Sequence, residues 1–466
     1  MKKEPKKLGR IHFVGIGGIG MSGIAELMHK SGYFVQGSDI NINSNVRRLK
    51  SKGVKIFYKH NNKNISNATV VVFSSAIKKN NPEIVEALKR RIPLVSRAEM
   101  LGELMKFKRG IAIAGSHGKT TTTSILGGIL EEASLDPTIV NGGIINSLHS
   151  NSRMGKGEWM VVEADESDGS FLYLPNEINI ITNIDFEHLD YYNKFENLYD
   201  SFKKFSSQIP FYGSTIICLE DKNTKKLSTE INRREVITYG IKKKESDLNI
   251  KSILLNKKQS IFEISLSKKF QSKNKKRITF NLNLLGNHNV LNATAAIAAS
   301  LKIGIKISII KKALLNFKGV NRRFTHIANV YNTPVYDDYA HHPKEIEATL
   351  NIAKNICKGK IIVIFQPHRF TRTKILYGDF VKVLKSADVL ILSNIFSAGE
   401  SVIKGLNDKF YRDLRNNSKG IVYRIKSENE IYNITKSFFN EKNIIIFMGA
   451  GSITNWANNF VKKNRK

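Results

Sequence analysis

The chain has 466 residues, 41% of them hydrophobic, and carries 74 Lys and Arg against 40 Asp and Glu, a formal charge of +34. That length can bury several cores, with three the expected number, and no stretch approaches the roughly 20 apolar residues of a membrane span, so no integral membrane segment is expected. The positive charge raises nucleic-acid binding, but the basic residues are scattered and their densest runs, Lys268–Arg277 and Val461–Lys466, fall at an expected hairpin tip and a terminus, which favours a solvated surface over a specific nucleic-acid partner.

The basic start Met1–Lys7 precedes an apolar run that mimics a signal peptide, yet Arg10 and His12 interrupt it, so Ile11–Gly15 is expected to be a strand. A glycine-rich loop follows, Gly15-Ile-Gly-Gly-Ile-Gly-Met-Ser-Gly23, and then a helical pattern to about Ser31. In such a strand–loop–helix the glycines let backbone approach a pyrophosphate at a helix N-terminus. Phe34–Ser38 and Val70–Ser74 read as further strands around a helix near Val46–Lys52, so residues 1-106 are expected to form a parallel, Rossmann-like α/β sheet. Asp39 lies 19 residues beyond Gly20, where NAD enzymes place a ribose-binding acid. A dehydrogenase has no use for the triphosphate loop that comes next, so that reading is set aside.

The second unit, 107-320, opens with the strand Ile111–Ala114 and then Gly115-Ser-His-Gly-Lys-Thr-Thr-Thr-Thr123. Ile113 stands where the full P-loop pattern has its first glycine, but Gly-Lys-Thr after a strand is intact, with Lys119 placed for β/γ-phosphates and Thr120 for Mg²⁺. The strand Trp159–Ala164 leads into Glu163-Ala-Asp-Glu-Ser-Asp168. Mg²⁺ usually takes only one or two carboxylates beside phosphate and water, so either Glu163 or Glu166 is the expected ligand. Ile178–Ile184 is read as a strand running into Thr182–Asp190, where His188 could meet metal or phosphate, and helices are expected near Phe195–Ser207. Cys218 and Cys357 are the only cysteines and lack metal or redox spacing, which fits a cytoplasmic location. Alternation in Ile261–Leu266 and Ile278–Leu282 suggests an antiparallel insertion or edge. Polar His288, Asn289 and Asn292 then start an Ala-rich helix, where amides could read an adenine edge, with capping the competing role for Asn289.

The third unit, 321-466, has expected strands at Pro334–Asp338, Ile361–Gln366, Val389–Ser393 and Ile444–Gly449. Asp337-Asp-Tyr-Ala-His-His-Pro-Lys-Glu345 follows the first of these. Its adjacent imidazoles point apart on an extended chain, so they suit substrate positioning better than a joint metal site. Gln366-Pro-His-Arg-Phe-Thr-Arg372 supplies Arg369 and Arg372, bidentate donors for an anionic substrate.

Taken in order, the Gly-rich opening with Met21-Ser22-Gly23, Gly-Ser-His-Gly-Lys-Thr-Thr-Thr, Glu-Ala-Asp-Glu-Ser-Asp, Asn183–Asp190, His288–Asn292, Asn321-Arg-Arg-Phe324, Asp-Tyr-Ala-His-His-Pro and Gln-Pro-His-Arg-Phe-Thr-Arg resemble the ATP-dependent amino-acid ligases of peptidoglycan assembly over nearly the whole chain. The resemblance implies three α/β domains: an N-terminal Rossmann-like one for a UDP-sugar, a central P-loop ATPase-type domain, and a C-terminal Rossmann-like domain that closes on ATP and the amino acid. It implies cytoplasmic amide formation through an acyl phosphate, with ATP and Mg²⁺, on UDP-N-acetylmuramate and L-alanine, by a monomer or homodimer. A ligase taking a preformed peptide instead of L-alanine is the alternative. Carried over, the UDP-sugar would meet Gly15, Gly17, Gly18, Gly20, Met21, Ser22, Asp39, Ser74 and Arg97. ATP would meet Gly115, Ser116, His117, Gly118, Lys119, Thr120, Thr121, His288, Asn289, Asn292 and Arg322. Thr120, Glu163 and His188 would hold metal. Tyr339, His368, Arg369 and Arg372 would surround the amino acid, with Lys119, His188, His342 and Arg369 as the catalytic set. Which group takes the amine proton stays open among His188, His342 and water. Ser116 stands where the family usually has Thr, and the hydroxyl is retained.

Overall fold

The computed structural model describes residues 9–74, 77–145, 150–256, 259–270 and 277–464. The basic start Met1–Lys7, residues 271–276 of the basic run and the last two residues of the basic tail therefore lie outside the described residues. The chain divides into two compact units, Met1–Leu254 with Ile261–Asn283 and Asn289–Lys318, and Gly319–Lys466 with Leu255–Ser260 and Leu284–His288.

The first unit holds two sheets. Five strands order as Lys55–Phe57, Phe34–Ser38, Arg10–Val14, Ala68–Phe73 and Leu94–Ser96, all parallel. Burial explains why these strands read as continuous apolar runs. Ile11 and Phe13 enter one core with Ile24 and Val72, while Val14 and Val71 enter another with Ile65 and Ala87, so both faces are covered, as parallel sheets require. The short strands Lys55–Phe57 and Leu94–Ser96 were not legible because three residues carry no usable period. The helix Ile19–Lys30 follows the first strand with Gly18 as its N-cap.

The second sheet has ten strands, with Arg109–Ala114 between Ile178–Ile181 and Trp159–Glu163 and parallel to both. Ala114 pairs with Ile181 and Ile113 with Glu163. Three polar loops therefore leave neighbouring strands at one carboxyl edge, where open α/β sheets bind ligands. Ser260–Leu266 and Arg277–Leu282 form the far edge of this sheet, as the alternation suggested.

In the second unit six strands order as Thr325–Val330, Thr333–Asp338, Ile444–Met448, Ile361–Phe365, Val389–Leu392 and Ile421–Arg424. The first pair is antiparallel and the rest parallel. Loops 339–342, 366–369 and 449–452 all leave the carboxyl ends of its parallel strands. Among the described residues no helix is long and apolar enough to cross a membrane.

Candidate active site

The loop after Arg109–Ala114 is fixed by residues around it as much as by its own glycines. Gly118 has φ +86°, and a methyl on it would lie 2.4 Å from Asn292 Oδ1; Gly115 has φ +128°, and a methyl there would lie 2.2 Å from Thr182 Oγ1. Only glycine fits both the backbone and the space. His117 N–H donates to Asn183 Oδ1 at 2.8 Å, while Asn183 Nδ2 and Thr182 Oγ1 donate to His117 O at 3.0 and 2.6 Å. Asp185 N–H donates to Ser116 Oγ at 2.8 Å, so the hydroxyl at Ser116 locks the next loop. The helix Lys119–Glu132 has Gly118 as N-cap, no capping side chain and no acid in its first turn. Its first N–H groups and positive dipole end are therefore directed at the loop, a geometry that favours phosphate.

Lys119 Nζ donates to Gly115 O at 2.6 Å and to Glu166 Oε1 at 2.8 Å. Glu166 is buried, and its other oxygen is also 2.8 Å from Nζ. Burial opposes the Lys119 charge, but Glu166, with Glu163 and Asp165 behind it, outweighs that and raises its pKa. Burial would raise the Glu166 carboxyl, yet Lys119 and then His188 hold it below the usual range. His188 Nε2 lies 3.5 Å from Glu166; burial pulls its pKa down, Glu166 pulls it up, and the net direction is upward. Glu163 accepts from Gly142 N–H at 2.7 Å. Of the two carboxylates considered for metal, Glu166 is thus committed to Lys119. Asn289 is the third residue of the helix Asn287–Lys302 rather than its cap, and Asn292 Nδ2 donates to it at 3.4 Å.

In the first loop, Gly15 and Ile16 N–H both donate to Ser38 O at 2.8 and 3.0 Å. Asp39 accepts from Gly17 N–H through Oδ2 and from Asn41 N–H through Oδ1, each at 2.8 Å, so it braces the glycine loop. Behind Ser38 sits Glu83, wholly buried, accepting from Ser38 Oγ at 2.6 Å and Asn64 Nδ2 at 2.6 Å, with His60 Nδ1 at 3.0 Å and His12 Nε2 at 3.5 Å. Ser74 lies just past the neighbouring strand Ala68–Phe73, and its carbonyl accepts from Ile77 N–H at 3.0 Å. Arg97 starts the helix Arg97–Met105 and pairs with Asp165 at 3.2 Å.

The second unit collects its candidates at one sheet edge. Arg322 lies over the Tyr339 ring at 4.4 Å and donates to Gly449 O at 2.9 Å. His368 stacks on Phe396 at 5.6 Å and lies 6.0 Å from His341. Burial, then Arg372, Arg369 and Arg322, push His368 down to about 4, and burial with Arg323 does the same for His288; both imidazoles are neutral near pH 7. Burial lifts Asp338 to about 6 although Phe324 and Ala340 N–H donate to it at 2.8 and 2.7 Å. The adjacent imidazoles do separate: His341 Nδ1 meets Tyr339 O at 2.9 Å, while His342 caps the helix Pro343–Ile356. His188, Arg322 and Arg369 all hold φ between +57° and +71°, a backbone that costs energy outside glycine and collects at functional sites.

Family models match three successive stretches: the Mur ligase family catalytic domain over 10–109, the Mur ligase middle domain over 113–300, and the Mur ligase glutamate ligase domain over 322–451. The chain belongs to the Mur ligase family. Among Mur ligases it is 45% identical over 459 residues to the UDP-N-acetylmuramate–L-alanine ligase of Agrobacterium fabrum, covering 98% of this chain and 97% of that one. The enzyme of the same name from Rickettsia typhi is 46% identical, covering 98% and 93%. The crystal structure of the UDP-N-acetylmuramate-alanine ligase of Thermotoga maritima superposes with a TM-score of 0.83 at 30% identity, covering 98% and 99%.

Several contacts in this Mur ligase were invisible to motif reading. Thr182, Asn183 and Asp185, just past the adjacent strand Ile178–Ile181, grip the Gly115–Gly118 loop, and Glu83 supports Ser38 from 45 residues away. The first three lie in the Thr182–Asp190 motif, but its sequence marked only His188 for a role and not their hold on the loop.

Proposed function

We propose that the chain joins L-alanine to the lactyl carboxylate of UDP-N-acetylmuramate, with ATP converted to ADP and phosphate through an acyl phosphate. The observation that carries it is Lys119, fixed between the Gly115 carbonyl and Glu166 at an anion-directed helix start, in a chain 45% identical over its length to a ligase of that name. A carboxylate is a poor electrophile, and phosphorylation gives it a leaving group. Lys119 and the first N–H groups of Lys119–Glu132 would meet the charge that spreads over the transferring phosphoryl. Glu166 holds the ammonium in place.

Thr120, Glu163 and His188 are proposed for Mg²⁺: Thr120 and Glu163 supply the hard oxygen donors the ion prefers, and Lys119 already offsets the neighbouring carboxylate of Glu166. The ion, when bound, supplies charge neutralisation at the phosphates. His288, Asn289, Asn292 and Arg322 are each proposed as ATP-binding residues. The glycine loop with Met21, Ser22, Asp39, Ser74 and Arg97 is proposed for the UDP-sugar. Arg369 and Arg372 offer bidentate donors for a carboxylate, Tyr339 is held under Arg322, and neutral His368 can exchange a hydrogen bond without adding charge. The amine proton is taken by His188, His342 or bound water. We place functional boundaries at 106 and 320 and the protein in the cytoplasm.

The test is phosphate release from Mg-ATP with UDP-N-acetylmuramate, comparing L-alanine, glycine, L-serine, D-glutamate and a muramyl-type peptide. Turnover that needs both the sugar nucleotide and L-alanine, with one amide product by mass, is expected. Turnover with peptide alone would move the chain to the peptide ligases. Turnover independent of the sugar nucleotide would refute the reading.

A further inference from the structure

The first unit carries a polar chain that connects its two phosphate loops and that no single motif contains. It begins at the start of Ile19–Lys30, a helix with no acid in its first turn. A methyl on Gly20 there would lie 3.1 Å from both Cδ and Nη1 of Arg97, so the guanidinium lies against the positive end of the helix. That placement is unfavourable by itself. Asp165 offsets it, through Oδ2 at 3.2 Å from Arg97 Nη2. The other Asp165 oxygen accepts from Ser167 N–H at 3.1 Å and its carbonyl from Phe171 N–H at 3.2 Å, which shapes the turn carrying Glu166. Glu166 in turn holds Lys119.

From this geometry we infer that Asp165 is a positioning residue: it holds Arg97 at the first glycine loop and so couples binding of an anionic nucleotide there to binding of the triphosphate at Lys119. The Asp165 contact uses Nη2, and Nη1 lies at the helix start, so one guanidinium can bridge Asp165 and a diphosphate at the loop. An anion that draws Arg97 forward draws on the turn bearing Glu166. Ordering of that turn by triphosphate presents Arg97 to the anion. By linkage the effect is the same in both directions.

This inference rests on the proposed substrates, and the test separates the two. Calorimetric titration of full-length protein with UDP-N-acetylmuramate is run with and without a non-hydrolysable Mg-ATP analogue, in wild type, Asp165→Asn, Arg97→Ala and the double variant. In wild type the analogue is expected to tighten sugar-nucleotide binding by about fivefold or more. Asp165→Asn keeps an oxygen for Ser167 N–H and loses the charge. It should reduce that gain to within about twofold, and it should have no further effect in the Arg97→Ala background, since coupled residues are non-additive. Rescue of the gain by Asp165→Glu, which restores the charge, supports the same assignment. Undiminished coupling in Asp165→Asn, or an equal added loss in the Arg97→Ala background, would overturn the positioning role. No binding of UDP-N-acetylmuramate by folded wild type would instead overturn the substrate reading.

Discussion

Replacing Glu166 by Gln is expected to destabilise the first unit by about 3 kcal/mol at neutral pH. Glu166 is 1% exposed and both its oxygens lie 2.8 Å from Lys119 Nζ, and removing one partner of a buried pair costs about 3–5 kcal/mol. The lower end applies because Lys119 keeps the Gly115 carbonyl at 2.6 Å and Gln retains one acceptor. The pH dependence has a defined sign. The folded Glu166 carboxyl sits below its ordinary 4.5, so its contribution is complete above that value and is lost as pH falls through the folded one. Lys119 is raised above its ordinary 10.5, so its share is complete below that value and is lost only as pH rises through the folded one. His188 is raised above 6.5, so its share is complete below 6.5 and fades as pH rises through its folded value. Urea unfolding can be followed through Trp159 in a Trp456→Phe background, which leaves one tryptophan, in the first unit. The gap between variant and parent should narrow as pH is taken from about 5 toward 3. A loss below about 1 kcal/mol at neutral pH, or a gap that stays constant into acid, would refute the reasoning.

Gly118→Ala should abolish binding of a fluorescent ATP analogue, since φ +86° and a 2.4 Å approach to Asn292 add left-handed strain of about 1–2 kcal/mol to a clash; near-parental affinity would show that the loop relaxes. Glu83→Gln should flatten the acid limb of stability. Burial opposes the Glu83 carboxylate, but His12, Ser38 and Asn64 hold it at about 2 against an ordinary 4.5, worth about 3 kcal/mol. That contribution is present above pH 4.5 and lost toward 2, so unfolding midpoints measured across that range would agree or disagree directly. Lys119→Ala should abolish phosphate release while calorimetry still finds UDP-N-acetylmuramate binding within about twofold of the parent; retained turnover would remove Lys119 from the chemistry.

The three-sheet α/β architecture was legible wherever strands were buried on both faces, because apolar runs such as Ile11–Val14 and Ile111–Ala114 between glycine loops have few other solutions. Element ends moved by one to three residues: Val70–Ser74 became Ala68–Phe73 and Ile178–Ile184 became Ile178–Ile181. Strands such as Thr138–Ile145 and Ser150–Arg153 were missed. Their polar residues Asn141, Asn151 and Ser152 are buried against other parts of the first unit, so no period marks them.

The motif residues themselves were set by the sequence, because glycine at positive φ, a lysine at a helix start and carboxylates after a strand are local chemistry. Which carboxylate serves which partner was decided only in three dimensions. Glu163 and Glu166 are equivalent on paper; the fold turns Glu166 onto Lys119 and Glu163 toward Gly142. Asp39 has the spacing of a ribose ligand, and only the fold shows that it also braces Gly17 and Asn41. The Asn183, Glu83 and Arg97–Asp165 contacts join residues separated by 66, 45 and 68 positions. Such contacts depend on which strands become neighbours, a choice made by burial of the whole sheet rather than by any local segment.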